Sequence, residues 1–216
     1  MKRLRAATGP VQGIVAVPGS KSIANRALVA AALAHGDSRL TNVPDGDDTA
    51  AMVRCLADLG VRIEAAHNGF VLVGGSGGHL DPRTSRLDAR LAGTTSRFVT
   101  ALAALADRPV TIDGDPPLRT RPMGELHEAL GHLGAHIAYG EAPGCLPVTV
   151  TGPLRRGGTV RLRGDVSSQF VTALMLVGPL LDGGVHIELT SPLVSLPYVR
   201  LTATVMAEFG VADVEV

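Results

Sequence analysis

Gly13-Ile14-Val15-Ala16-Val17-Pro18-Gly19-Ser20-Lys21-Ser22-Ile23-Ala24-Asn25-Arg26-Ala27-Leu28 reads as a β-branched strand stopped by Pro-Gly, followed by the hydroxyl-rich, basic opening of a helix. That helix continues through Val29 to Ala34 with apolar residues on nearly every face, as a helix buried on several sides would, and Gly36 is a suitable stop. The same junction recurs at Gly93 to Arg97 and at Gly164 to Gln169. Aligning the three helices on Leu28, Leu102 and Leu174 makes Ser22, Ser96 and Ser168 equivalent, at steps of 74 and 72 residues. A second landmark repeats with them: Leu59-Gly60-Val61, Leu133-Gly134-Ala135 and Phe209-Gly210-Val211. The folding unit is therefore about 70 residues long, too long for a simple solenoid repeat.

Within the first unit a short strand is expected at 38–42, a helix from Asp47 or Asp48 to Leu59, and strands at 61–64 and 70–73. The second unit repeats this with a helix from Thr94 to Ala106, a strand Val110 to Asp113, a helix from Met123 to Leu133, and strands Ala135 to Tyr139 and Pro147 to Thr151. Thr159 to Arg163, Ser167 to Leu180, Val185 to Leu189 and Pro197 to Phe209 give the third unit, which is expected to be truncated because it reaches Val216 without a last strand pair. Gly74-Gly75-Ser76-Gly77-Gly78 reads as a flexible linker. The expected fold is α/β, three βαβαββ units at 13–78, 79–152 and 153–216, with the helices packed together and the sheets outside them.

With 216 residues, 45% of them hydrophobic, the chain is large enough to build a core. Twenty Lys and Arg balance twenty Asp and Glu, which argues against nucleic acid or an anionic membrane as partner. Aromatics are only 3%, with no Trp, so stacking platforms for single-stranded nucleic acid are lacking. Cys55 and Cys145 lie far apart without a CxxC spacing, as reduced thiols of a cytoplasmic protein do. Met1 to Arg5 lead into Ala6-Ala7-Thr8-Gly9-Pro10 rather than an apolar segment, so no signal peptide is expected, and no uncharged run reaches the roughly 18 residues of a membrane helix. Any basic site must be local, and a small-molecule ligand is expected.

Helix N-termini attract anions through free N–H groups and the helix dipole. Here they carry Ser20, Lys21, Ser22, Asn25 and Arg26 in unit one, Gly93, Thr94, Thr95, Ser96 and Arg97 in unit two, and Ser167, Ser168 and Gln169 in unit three. These are groups that hold phosphate and carboxylate. Arg119 and Arg121, in the loop Asp115 to Pro122, add two cations. A hydroxyl at one such end is explained equally well by helix capping; three decorated ends with Lys21, Arg26, Arg97 and Arg121 nearby favour a shared anion site.

At this point the residues resemble a known family. Pro18 to Leu28 is similar to the signature of the 5-enolpyruvylshikimate-3-phosphate synthases, Leu91-Ala92-Gly93-Thr94-Thr95-Ser96-Arg97 to their Asn-Ala-Gly-Thr segment, and Asp113 to Pro122 to their Gly-Asp-Pro…Arg-Pro loop. Val166-Ser167-Ser168-Gln169-Phe170 and Leu193-Val194-Ser195-Leu196-Pro197-Tyr198 complete five ordered motifs. The resemblance covers the whole chain but about half of the family's usual length. It implies one of two three-unit domains of an inside-out barrel, with residues 1–12 belonging to the other domain and catalysis in the cleft between them.

By that resemblance Lys21, Ser22, Arg26, Ser167, Ser168, Gln169 and Ser195 bind shikimate 3-phosphate, with Tyr198 lining the site. Lys21, Gly93, Arg121 and Gln169 meet phosphoenolpyruvate, and Arg97 supports that pocket. The implied reaction transfers an enolpyruvyl group to the 5-hydroxyl by addition and elimination of phosphate, without metal or organic cofactor. Such chemistry needs a proton donor, a base and cations for the phosphate; Lys21 is the one acid/base candidate in the motifs present. The remaining catalytic groups are expected in the C-terminal domain, so this chain is expected to be a monomeric, cytoplasmic, substrate-binding half that is inactive alone.

Two positions depart from the family pattern: Leu91 stands for a common Asn, and Leu196 for a common Lys. They leave room for a paralogue acting on a related cyclic acid. A non-catalytic anion-binding module is the rival of another class, and the sister enzyme on a nucleotide sugar ranks below because Lys21 is followed by Ser22 rather than Asn. His127, His132 and His136 are expected to be solvated at a helix end rather than to hold a metal, since Gly134 interrupts the helical spacing. Asp47-Asp48 is expected to cap its helix at Thr49 rather than to act as a catalytic pair.

Overall fold

The structure, a computed structural model, describes residues 9–10, 12–66 and 70–216, so most of the segment 1–12 expected to join another domain lies outside the described residues. The first unit gives α1 (Lys21–Leu33), β1 (Asp37–Leu40), α2 (Asp47–Asp58), β2 (Arg62–Ala66) and β3 (Phe70–Gly74). The second gives β4 (Arg86–Asp88), α3 (Gly93–Ala103), β5 (Val110–Asp113), the single turn α4 (Pro116–Arg119), α5 (Gly124–His132), β6 (His136–Tyr139) and β7 (Val148–Thr151). The third gives β8 (Arg156–Leu162), α6 (Ser168–Val177), which tightens into a 3₁₀ turn through Leu180, then β9 (Asp182–Leu189) and α7 (Leu196–Glu208).

The three sheets are one sheet at three degrees of completeness. Unit two has the order β4-β5-β7-β6, with β4 and β5 parallel and the other pairs antiparallel. In unit one β1-β3-β2 is the same arrangement without the first strand, and in unit three the parallel pair β8-β9 is its first half. Helices α1, α3 and α6 pack together inside, flanked by α2 and α7. Leu28, Val29, Ala31 and Ala32 of α1, Phe98 and Leu102 of α3, and Ala173 and Leu174 of α6 are all fully buried, at 0% exposure. The all-round apolar pattern of these helices reflects that central position.

Two expectations fail here, for physical reasons. Gly13 to Val17 forms no strand: Ile14, Val15 and Val17 stand out in solvent, and β1 pairs only with β3. A β-branched run fits a pleated, half-buried surface and becomes a strand only where it finds such a surface. Nor is Gly74 to Gly78 a free linker. Gly75 N donates to Gly36 O (2.8 Å), Ser76 N and Oγ to Ala32 O (2.8 and 2.7 Å), and Gly77 N to Ala34 O (2.9 Å), satisfying carbonyls left open at the end of α1.

Glycine is required at 75 for close approach: a Cβ there would collide with the Ala34 carbonyl and lie 2.6 Å from Gly36 O. Unit two repeats the device, where a Cβ on Gly152 would strike the Ala104 carbonyl and lie 2.7 Å from Ala106 O. Gly75→Ala and Gly152→Ala are each expected to cost about 2 kcal/mol or more in urea unfolding, because backbone has to move. Gly131→Ala, in the last turn of α5 with no atom within 4 Å of its Cβ position, is expected to be neutral or slightly stabilising.

Candidate functional site

Four helix N-termini open on one cavity of about 410 Å³. Unit one lines it with Lys21, Ser22 and Arg26, unit two with Thr94 alone, and unit three with Val166, Ser167, Ser168, Gln169, Val194, Ser195 and Tyr198. Ser20 caps α1, its Oγ accepting from Ile23 N, and Ser167 caps α6, accepting from Gln169 N at 3.2 Å. Gln169 Nε2 donates to Thr94 Oγ1 (3.2 Å) and so joins units two and three across the cavity. Ser96, the repeat equivalent of Ser22 and Ser168, is buried and donates to Gly93 O (3.0 Å); Thr94 faces the cavity in its stead.

Arg26 is 2% exposed and serves largely as a pillar between helices. Its Nε donates to Thr202 Oγ1 (2.8 Å), Nη1 to Ser22 O (2.9 Å), and Nη2 to Thr172 Oγ1 (3.3 Å) and Tyr198 O (3.4 Å). A guanidinium has five N–H groups, so one on Nη1 is left for a ligand. The rings of Phe98 and Tyr198 lie 5.7 and 5.6 Å from its central carbon. Burial lowers the Arg26 pKa, and among the described residues no carboxylate pairs with it.

Lys21, the first residue of α1, places Nζ 2.5 Å from Asp48 Oδ2. Asp48 is therefore not a helix cap. The N-cap of α2 is Gly46, without a side-chain bond, and the Asp48 carbonyl instead accepts from Thr95 Oγ1 (3.3 Å), tying α2 to the start of α3. Sequence reasoning missed Asp48 because adjacent acids at a helix start read as caps; only the fold brings Lys21 opposite.

Gly93, Arg97 and Arg121 form a second group beside the cavity rather than in its wall. A Cβ on Gly93 would lie 2.8 Å from Arg121 Nη1 and 3.1 Å from Arg97 Nη1, so glycine leaves room for two guanidinium groups. Arg97 Nη1 donates to Gly93 O (2.9 Å) and Nη2 to Pro122 O (3.3 Å), while its buried Nε has no partner among the described residues. Burial, and then the Arg121 charge, pull the Arg97 pKa down to about 10. The loop's other arginine is committed elsewhere: Arg119 Nε and Nη2 each lie 2.8 Å from a carboxylate oxygen of buried Asp113, which also takes Arg86. The two loop cations thus divide, Arg119 neutralised and Arg121 without a carboxylate partner among the described residues.

His127 lies under this group, 1% exposed and tilted against the Tyr139 ring at 5.5 Å, not solvated as expected. Neither ring nitrogen has a partner among the described residues, and burial, then the Arg97 charge, hold its pKa at about 4 against an ordinary 6.5. A depressed histidine pKa means the unfolded chain binds the proton first. Stability is full above pH 6.5 and falls as pH drops towards 4. His127→Leu is expected to remove a loss on the order of 2–3 kcal/mol over that window, read as the difference between the two proteins' unfolding free energies at pH 7 and pH 4. Among the described residues no three His, Cys, Asp or Glu side chains converge as a metal site.

The turns that present these groups are crossed pairs. Backbone of the turn before the first helix meets the turn after the next strand, with a glycine at each crossing: Gly19 against Asn42, Gly114 against Arg90, and Gly164 against Ser191 and Leu193. Each unit holds one non-glycine residue at positive φ in these turns: Asn42 (55°), Arg90 (53°) and Ser195 (59°). Strained backbone of this kind clusters at ligand sites and persists where neighbours over-determine it.

Fold and site together define an α/β domain of threefold internal repeat whose helix N-termini converge on a cationic, hydroxyl-rich cleft. The profile of the EPSP synthase (3-phosphoshikimate 1-carboxyvinyltransferase) family matches residues 6–216, and the chain belongs to that family. A 3-phosphoshikimate 1-carboxyvinyltransferase of Shewanella loihica is 43% identical over 214 residues, covering 98% of this chain and 50% of that protein. One of Shewanella oneidensis is 42% identical over 203 residues, covering 93% and 48%. The solved EPSP synthase from Acinetobacter baumannii superposes with a TM-score of 0.82 at 29% identity, over 94% of this chain and 45% of that one. The chain spans about half the length of the curated relatives it matches. Among the described residues no helix is long and apolar enough to cross a membrane.

Proposed function

We propose that this chain is the shikimate 3-phosphate-binding part of an enolpyruvyl transferase, which gives 5-enolpyruvylshikimate 3-phosphate and phosphate from shikimate 3-phosphate and phosphoenolpyruvate. One observation carries the reading: Lys21, Ser22, Arg26, Ser167, Ser168, Gln169, Ser195 and Tyr198, drawn from three helix starts and a turn, line a single cavity. Hydroxyls of Ser167, Ser168 and Ser195 suit phosphate oxygens, with Lys21 and Arg26 supplying charge. Gly93, Arg97 and Arg121 hold phosphoenolpyruvate next to it, and the unpaired Arg121 matches its carboxylate or phosphate. As the 5-hydroxyl oxygen bonds to C2 of phosphoenolpyruvate it loses its proton, the methylene gains one, and phosphate then leaves as that carbon gives a proton back. Lys21, steered by Asp48, is the acid/base group on this wall.

The opposite wall belongs to a second half of the protein, and the boundary is drawn at Pro18-Gly19 rather than after residue 12, because Ile14, Val15 and Val17 pack on nothing described in this half. The exposed Ile14, Val15 and Val17 then form a strand against that half. The whole is a cytoplasmic monomer. Calorimetry with shikimate 3-phosphate tests the reading on wild type, Lys21→Ala and Ser168→Ala; absence of binding to folded wild type refutes it. Turnover restored on adding a relative's C-terminal half in trans supports the transferase, whereas binding with persistent silence favours an anion-binding module.

A further inference from the structure

Ser195 sits in a left-handed conformation (φ 59°, ψ 41°) and its side chain caps nothing, so its hydroxyl is free to face the cleft. A non-glycine residue remains in that region only if its surroundings hold it there. The stretch before it is stitched to the end of β8 and the turn before α6: Thr190 N donates to Leu162 O (2.8 Å), and Val194 N to Gly164 O (2.9 Å). Between these two bonds a reciprocal pair closes the gap. Ser191 Oγ donates to Asp165 Oδ1 (2.8 Å), and Asp165 N donates back to Ser191 Oγ (3.1 Å). Gly164 allows the approach, since a Cβ there would lie 2.7 Å from Ser191 O and 3.0 Å from Leu193 Cα.

Arg163 grips the same carboxylate with Nε (3.1 Å) and Nη2 (2.9 Å), while its backbone N donates to Glu125 Oε2 on α5 (3.0 Å). The fork and the Ser191 hydroxyl hold the Asp165 carboxyl at about 2, so it stays ionised at any working pH. These side chains are largely exposed, and exposed ion pairs add little to global stability. The place of the pair is its distinguishing property. Asp165 stands two residues before Ser167, and Ser191 four before Ser195, so the bond joins the two turns that deliver cleft hydroxyls. Among the described residues the crossings in units one and two have no carboxylate–hydroxyl pair: the first is packed backbone to backbone, and the second adds an exposed Arg90–Asp115 ion pair at 3.8 Å.

We infer that Asp165 and Ser191 are positioning residues that fix the Ser195 hydroxyl relative to Ser167 and Ser168, an inference that rests on the cleft being the shikimate 3-phosphate site. The test is a double-mutant cycle on the chain, titrated calorimetrically with shikimate 3-phosphate. Ser191→Ala and Asp165→Asn are each expected to weaken binding about tenfold, and Ser191→Thr, which keeps the hydroxyl, to restore it. In a Ser195→Ala background the same changes are expected to cost about twofold or less, because the group they position is gone. Thermal midpoints stay at the wild-type value throughout. Equal losses with and without the Ser195 hydroxyl, or unchanged affinity in either single variant, overturn the inference while the cleft reading stands. Folded wild type that binds no shikimate 3-phosphate removes both.

Discussion

Arg26→Met is expected to leave the domain as stable as wild type, within about 1 kcal/mol, and to weaken shikimate 3-phosphate binding roughly 100-fold. The two effects separate because this guanidinium is buried without a carboxylate. Its desolvation cost, seen in the lowered pKa, offsets its four hydrogen bonds, and methionine fills most of the same space. Thr172 and Thr202, already 3.0 Å apart, remain bonded to each other when it is gone, and Thr202 still donates to Tyr198 O (2.8 Å). A phosphate in the cleft, by contrast, loses the charge of a buried guanidinium that lines it. Arg26→Ala adds a cavity and is expected to cost about 3 kcal/mol besides. Chemical unfolding and calorimetry on both variants check this; a methionine variant that binds normally removes Arg26 from the ligand site.

Phe98→Ala is expected to be the most damaging core substitution, at about 3–5 kcal/mol. Phe98 is fully buried in α3, the helix that packs on both α2 and α6, so the void opens at the centre of the domain. Its ring also lies beside the Arg26 guanidinium at 5.7 Å. Loss of that face frees Arg26, so ligand affinity is expected to fall together with stability. Phe98→Leu, which keeps most of the volume but not the π face, is expected to recover most of the stability and less of the binding. Urea unfolding beside calorimetric titration reads the two separately; parallel recovery of both would assign Phe98 to packing alone.

The repeat made most of the architecture legible. Junctions at Gly19, Gly93 and Gly164 place the starts of α1, α3 and α6, and the glycines at 60, 134 and 210 mark the ends of α2, α5 and α7. Ser22, Thr94, Ser167 and Ser168, which line the cavity, were readable because they stand at those starts, whereas Ser195 and Tyr198, at the start of α7, came only with the family resemblance. Pairings over long sequence distances were not: Lys21 with Asp48 and Arg119 with Asp113 arise from tertiary placement, and sequence alone lists the charges without matching them. The strand β4 escaped because Arg86-Leu87-Asp88 has too little apolar content to signal itself and is held by its parallel neighbour. The glycines of 74–78 misled in the other direction. Poverty of side chains reads as freedom, yet here it permits contact so close that the segment is fixed.

The crossed turns also limit how such a site can change. Since each ligand-bearing turn lies backbone to backbone against its counterpart at Gly19, Gly114 or Gly164, an inserted residue would lift the crossing and shift a whole helix start. Variation in ligand preference is therefore confined to exchange of side chains on a fixed frame, as at Leu91 and Leu196, whereas length changes belong in hairpin connections such as 140–147, none of whose residues line the cavity.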